Sequence, residues 1–365
     1  MKFFSTKISD KALELANMVL DSEYISAGVY AQKFEEKLSS QLGIINPVSV
    51  NSGTSALNLG LEVMGVGAGD EVILPAQTFI ASGLAILMTG AKTVFADIQY
   101  ETGNIDPKSI KDKITEKTKA IMPVHWGGYP CDMYEINQIA EENDLTVIED
   151  AAHALGARYK GKPIGSISAM TAFSFQAIKH LTTGDGGALC CLDSIHYKEA
   201  CERRWFGINR EESKPSILGE RVYDIEKIGF KYHMNDLAAA IGLGNLMDFD
   251  KRLMRIREVA TIYRQELSNV HGLQLLKYKH DRESAYWLFT ILVENRLDFI
   301  KKMKSNGIPV SVVHQRIDRL SVFGGRTANL INQSRFDDNQ ISIPINAGLT
   351  DKEIYHIIHS INNGW

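Results

Sequence analysis

The sequence predicts an α/β protein built on a mixed, mostly parallel sheet flanked by helices, with a smaller α+β unit after it. Three observations predict this fold. Between residues 47 and 191, short apolar runs such as EVILP (71–75) and VIED (147–150) have the length and composition of strands buried on both faces. Helical segments alternate with these runs, the order that generates a parallel sheet. From about residue 250 the repeat gives way to a long polar helix and a short α+β pattern, which divides the chain into a large domain, 1–249, and a small one, 250–365.

Composition narrows the function classes. At 365 residues the chain can bury a large core, and 44% hydrophobic with 23% charged residues is the balance of a soluble globular protein. A net charge of −4 leaves no electrostatic footprint for nucleic acid or an anionic membrane. No apolar run has the length of a membrane span. The segment MKFFSTKISDKALELANMVL interrupts its apolar positions with acidic and polar residues, unlike a secretory leader, so a cytoplasmic protein is expected. Cys131, Cys190, Cys191 and Cys201 form no C-x-x-C pair. They read as free thiols, with Cys190 and Cys191 on opposite faces of one buried strand.

Taken in order, residues 8–20 form an amphipathic helix, and a loop from Tyr24 leads to a second helix that Gly43 ends. PVSVNSGTSALNLGLEVMG reads as strand, turn and helix. Its Ser52-Gly53-Thr54-Ser55 turn would present backbone N–H groups to an anion, and would serve equally as an ordinary N-cap. GVGAGDEV (65–72) resembles a dinucleotide fingerprint but follows a helix and precedes a strand, so it is a connecting turn. EVILPAQTFIASGLAILMTGAKTVFADI gives strand, loop, helix and strand, with Phe79 just past the first strand. In the next β-loop-α-β unit Asp106 and Asp132 start helices, and His125 follows a strand end with structural and catalytic roles both open.

VIED places Asp150 where a strand meets a loop, which is where open α/β sheets do chemistry. TAFSF (171–175) is the next strand, Lys179 follows in a short loop, and TTGDGG leads into the apolar strand ALCCL. A lysine and a carboxylate, each just past a strand end, suit a pyridinium cofactor. The lysine forms a Schiff base with its aldehyde and the carboxylate pairs with its ring nitrogen. Farther on, Arg203 and Arg204 fall on what reads as a solvated helix face, and Asn235-Asp236 caps an Ala/Gly-rich helix. The last part reads as a helix over 250–268, a strand at YWLFTILV, a helix at FIKKMKSNG, a strand at IPVSVV, a loop over 312–325 and a closing helix from 350.

EDAAH, FSFQAIK and TTGDGG resemble the core motifs of the DegT-type (DegT/DnrJ/StrS) sugar-nucleotide aminotransferases, fold type I enzymes that use pyridoxal 5'-phosphate (PLP). The resemblance extends from about residue 20 to about 250, and more loosely to the end. It implies that Lys179 carries PLP and Asp150 pairs with the pyridine nitrogen. His153 stands where the family commonly has a Gln on the 3-oxygen. Gly53, Thr54 and Ser174 would hold the phosphate, and Phe79 would stack on the ring. The family's helix after GFKYHM lies at a homodimer interface, where an Asn reaches the partner's phosphate; Lys231 stands there, and His233 replaces an Arg. Tyr24 and Ser26, with Gly28, occupy a segment that the family uses near the sugar nucleotide, although a packing loop serves them as well. His314 and Arg316 occupy a substrate-facing loop.

By the same resemblance, L-glutamate would give its amino group to PLP, forming pyridoxamine phosphate. That form would pass the group to a nucleotide-linked 4-keto- or 3-keto-6-deoxysugar, for lipopolysaccharide O-antigen or another glycan. One branch of the family has histidine in place of the lysine and dehydrates sugars; Lys179 argues against it, and His180 is only a neighbour. The rival readings are a PLP transaminase for another ketone, of inositol or non-nucleotide sugar type, and a non-enzymatic PLP-binding regulator.

Overall fold

The computed structural model describes residues 1–210 and 212–365. Among these residues a 7-stranded central sheet comprises β1 (Pro47–Val50), β2 (Glu71–Pro75), β3 (Lys92–Ala96), β4 (Thr118–Ile121), β5 (Thr146–Asp150), β6 (Met170–Ser174) and β7 (Gly187–Cys191). Their order across the sheet is β1-β7-β6-β5-β4-β2-β3. β7 runs antiparallel to both neighbours, and the other pairings are parallel. The mostly parallel sheet that the sequence predicts is therefore present. Apolar clusters cover both of its faces, and the strand period of two sends Cys190 into one and Cys191 into the other. Among the described residues none of the four cysteines forms a disulfide.

The helices form where caps and spacing favour them. Ser9 caps Asp10–Asp21, and Gly43, at φ 69°, ends Val29–Leu42 in the left-handed conformation that favours glycine. Gly28 has no side chain with which to cap that second helix. Asp236 does so from across the chain, accepting from the backbone N–H groups of Gly28, Tyr30 and Ala31. Asn235 caps the Ala/Gly-rich helix Asp236–Leu246. Its small residues serve packing within the subunit: a Cβ on Gly242 would meet the Phe34 ring at 2.7 Å, and one on Gly244 would meet Ala12 Cα at 2.3 Å.

One polar expectation is corrected. Arg203 and Arg204 do not lie on a solvated face. Arg203 is buried and pairs with Glu62 and Glu199, while Arg204 pairs with Glu35 and donates to the Ser49 carbonyl. Asp132 stands at the start of helix Met133–Glu142, as expected, and its side chain pairs with Lys279 and Arg282.

Beyond the helix Phe249–Glu266, an antiparallel sheet of β8 (Leu273–Leu275), β9 (Phe289–Val293) and β10 (Gln340–Ile343) lies in the order β8-β9-β10. It shares an apolar cluster with helices Arg296–Ser305 and Asp351–Asn362, including Phe299, Ile341, Ile357 and Ile361. The strand expected at IPVSVV does not form: only Ser311 bridges to Ser342. Val313 has φ 57°, a left-handed conformation that a β-branched residue rarely adopts. His314 N–H then donates to the Val312 carbonyl at 2.6 Å, closing a three-residue turn that stops a ladder.

Two features join this part to the large sheet. Arg282–Glu283 pairs antiparallel with Arg158–Tyr159, and the Arg282 guanidinium lies over the Tyr129 and Tyr159 rings. Residues 2–6 form a strap. Asn346 Nδ2 donates to the carbonyls of Lys2 and Phe3, Thr6 Oγ1 donates to the Ala177 carbonyl, and Phe4 stacks on Trp287. Among the described residues no helix is long and apolar enough to cross a membrane.

Candidate active site

Several strand and helix ends meet in one cleft. β5 ends at Asp150, β6 at Ser174, and β2 at Pro75 four residues before Phe79; helix Gly53–Val63 points its N-terminus the same way. The cleft has a volume of about 320 Å³. Parallel strands all place their carboxyl ends on one side, which is why residues far apart in sequence converge there.

Asp150 is buried, and both its backbone and its carboxylate are hydrogen-bonded. Its backbone N–H donates to the Pro123 carbonyl, and its own carbonyl accepts from His125 N–H. On the side chain, Oδ1 accepts from Ala152 N–H at 3.1 Å and Oδ2 from the Ser82 hydroxyl at 2.6 Å. Ser82 Oγ lies 2.6 Å from Thr78 Oγ1.

Lys179 stands across the cleft on the loop after β6. That loop is pinned by His180 Nε2 against the Ala285 carbonyl and by Trp287 Nε1–H, which donates to the Ile178 carbonyl. Lys179 Nζ lies 3.7 Å from the centre of the Trp287 ring, a cation–π contact. Loss of water around the amine pushes it down to about 7 from 10.5, against the opposing pull of the Asp150 charge.

Aromatic rings form the walls. The His153 ring stacks on Trp287 at 3.8 Å, and the His314 ring lies 5.0 Å from Phe79 and 5.8 Å from His153. Burial and the nearby Lys179 charge push His153 well below the ordinary histidine range and His314 down to about 4. Both imidazoles are therefore neutral near pH 7. His153 Nδ1 is buried with no hydrogen-bond partner among the described residues.

At the other end, Ser52 caps helix Gly53–Val63 by accepting from Ser55 N–H. A Cβ on Gly53 would lie 2.8 Å from Ser174 Cβ, so only glycine lets the helix start sit against β6. Gly53, Thr54 and Ser174 line the cleft together. Oriented N–H groups at a helix start favour an anion there.

Gly53, Thr54, Phe79, Asp150, His153, Ser174, Lys179 and His314 all line this one cleft. Four expected residues do not. Tyr24 is 79% exposed, and Ser26 is exposed, its carbonyl accepting from Asp236 N–H. Lys231 is exposed on a bridge to Trp205. Arg316 is fully buried, with Nε and Nη2 on the Asp318 carboxylate at 2.7 and 2.6 Å and Nη1 on Ser334, so it supports the loop from beneath. His125 is also accounted for: Nδ1 accepts from Cys131 N–H, and Nε2–H donates to the buried Glu149.

Sequence reasoning missed Trp287, Thr78 and Ser82. Thr78 and Ser82 carry a signal, four residues apart on the turn that opens a helix beside a strand end. Trp287 carries none, because the fold of the C-terminal sheet brings it to Lys179.

The chain matches the DegT/DnrJ/EryC1/StrS aminotransferase family over residues 6–362. It is similar to GDP-perosamine synthase of Escherichia coli O157:H7, with 34% identity covering 98% of this chain and 97% of that one. Among solved structures it is similar to the sugar aminotransferase CalS13 from Micromonospora echinospora, at a TM-score of 0.95 and 32% identity over 100% of each chain. It is also similar to Spr1654 from Streptococcus pneumoniae in a PLP form, at a TM-score of 0.91 and 30% identity, covering 100% of this chain and 98% of that one.

Proposed function

The chain belongs to the DegT/DnrJ/EryC1/StrS aminotransferase family, and from that premise we propose that it moves an amino group from L-glutamate to a nucleotide-linked keto-6-deoxysugar. It is a PLP-dependent aminotransferase of amino-sugar biosynthesis. The donor, the nucleotide-linked acceptor and the residue roles below are our reading. One observation carries those roles: Asp150, Lys179, an aromatic wall and an anion-suited helix start share a single cleft.

The residues fit the cofactor. The helix start at Gly53 and Thr54, with Ser174 beside it, suits the phosphate. Phe79 offers a ring to a flat heterocycle, and His153 Nδ1, with no hydrogen-bond partner among the described residues, supplies a polar atom for the oxygen beside the aldehyde. Asp150 would face the ring nitrogen and Lys179 would hold the aldehyde carbon. Bound PLP supplies an electron sink for the charge that develops at the donor Cα.

The protein supplies the rest. Asp150 places a fixed negative charge opposite the ring nitrogen without rearrangement during the reaction. Lys179 Nζ, once free, takes the proton from the donor Cα and later delivers one to the sugar carbon that receives the amine. An amine at about 7 suits both tasks near neutrality. The rings around it exclude water from that exchange. His314, partly buried in the cleft wall beside Phe79, is our candidate contact to the sugar; Tyr24 and Ser26, on the exposed surface, are candidates only across a subunit interface. The similarity to a GDP-perosamine synthase supports a nucleotide-linked acceptor. A homodimer and a cytoplasmic location belong to the same proposal.

The test begins with the purified protein and PLP. We expect uptake of PLP with a visible absorption band that L-glutamate discharges, and amine formation when nucleotide-linked 3-keto- and 4-keto-6-deoxysugars are then supplied. Lys179→Ala is expected to abolish turnover while the apo-protein keeps its melting temperature within a few degrees. Full turnover by that variant removes the assignment of Lys179. Turnover only on ketones without a nucleotide removes the proposed acceptor.

A further inference from the structure

We infer that Thr78 and Ser82 are positioning residues for Asp150: two hydroxyls in series that set how its carboxylate is presented to the ring nitrogen of PLP. The inference rests on the PLP reading and extends it to two hydroxyls behind Asp150, of which Thr78 also lines the cleft.

The geometry is specific. Ser82 is fully buried and Thr78 is 1% exposed. The 2.6 Å separation between Ser82 Oγ and Asp150 Oδ2 is the length of a hydroxyl–carboxylate bond, the stronger kind. A serine has one hydrogen to give. Three acceptors are within reach of it: Asp150 Oδ2 at 2.6 Å, Thr78 Oγ1 at 2.6 Å and the Phe79 carbonyl at 3.2 Å. If the Thr78 hydroxyl donates to Ser82 Oγ across 2.6 Å, the hydrogen on Ser82 remains available for the shorter bond to Asp150. With Ala152 N–H on Oδ1, each carboxylate oxygen then has one protein donor, and the plane of the group is fixed. Its remaining lone pairs are left for the cleft. The two hydroxyls sit on the loop and first turn that also carry Phe79, so one element would orient both the ring's face and its nitrogen.

A purely structural role is the competing account, since Ser82 also bonds back to the Phe79 carbonyl. Four proteins separate the two: wild type, Ser82→Ala, Thr78→Val, which keeps the shape, and Thr78→Ser, which keeps the hydroxyl. Each is measured for PLP affinity, for the position and intensity of the visible band at fixed pH, for kcat and KM with L-glutamate, and for the melting temperature of the apo-protein. A hydrogen bond to a charged group corresponds to roughly a tenfold to hundredfold change in rate. We expect Ser82→Ala to lower kcat by about that factor with little change in KM, and to alter the visible band. Thr78→Val should move both in the same direction by less, and Thr78→Ser should recover them. Variants that match wild type in kcat and spectrum and differ only in melting temperature overturn the relay. Wild-type protein that takes up no PLP overturns the relay together with the PLP reading, so the two failures are told apart.

Discussion

Lys179 is placed so that its neighbourhood decides its chemistry. Stripping water from the amine disfavours the ammonium form, and the Asp150 carboxylate opposes that only in part. The neutral amine is the form that accepts a proton, and its share grows as pH rises through its pKa. The glutamate half-reaction should therefore climb with pH up to about 7 and level off above it. A rate still climbing toward pH 10 in single-turnover measurements would mean that the lysine behaves as an ordinary one. At this scale the sequence was informative where a candidate residue lies at or shortly after a strand end. Asp150, Phe79 and Lys179 stand out because an apolar run stops and a polar or aromatic residue begins. Trp287 does not stand out: it precedes a strand in the C-terminal part, and only tertiary packing puts its ring 3.7 Å from Lys179 Nζ. Arg316 misled in the opposite way, because a loop arginine reads as free until Asp318, two residues on, is seen to take its guanidinium.

At the scale of elements, the strands of the central sheet could be read because burial on both faces makes them continuously apolar. IPVSVV has the same composition and is no strand, because the turn at Val313 bends it away after one bridge. Composition reports where a chain wants burial, and a single backbone conformation can still decide the shape. The Ala/Gly-rich helix Asp236–Leu246 shows the converse. Its small residues permit close helix packing, and two of them are spent on such contacts within the chain. Gly244 is the sharpest instance, since even a methyl group there would press on Ala12 Cα. Gly244→Ala is expected to lower stability by about 1–3 kcal/mol, the usual effect of overpacking. Gly67, whose added Cβ meets nothing within 4 Å, is the control, and Gly67→Ala should leave the denaturation midpoint close to wild type. Equal midpoints for the two variants would mean that the two helices shift apart at little cost.

For the whole molecule, we propose two units, 1–249 and 250–365, with the cleft between them, and a functional homodimer. The separate apolar cluster around β8, β9 and β10 supports the division. Lys231 bears on the dimer. It is exposed and does not line the cleft of its own subunit, so a role toward the cofactor phosphate would have to be played in a partner's cleft. Mixing two defective variants tests this. Lys179→Ala and Lys231→Ala proteins, dissociated and reassociated together, should regain turnover, because the heterodimer holds one cleft with both lysines. Lys231→Ala protein that is fully active alone would remove the role across the interface.

The strap of residues 2–6 has a consequence for biosynthesis. Its partners are Ala177, Trp287 and Asn346, and the last two are translated long after it. A ribosome will have released the segment with Phe4 well before the ring on which Phe4 stacks exists. The large sheet has its strands in hand by residue 191, so it can assemble on the nascent chain while the strap hangs loose. Closing a loop of nearly the whole chain comes last. A chain stalled before residue 287 should therefore hold a formed sheet, with Asp150 and Lys179 present, and no wall behind the lysine.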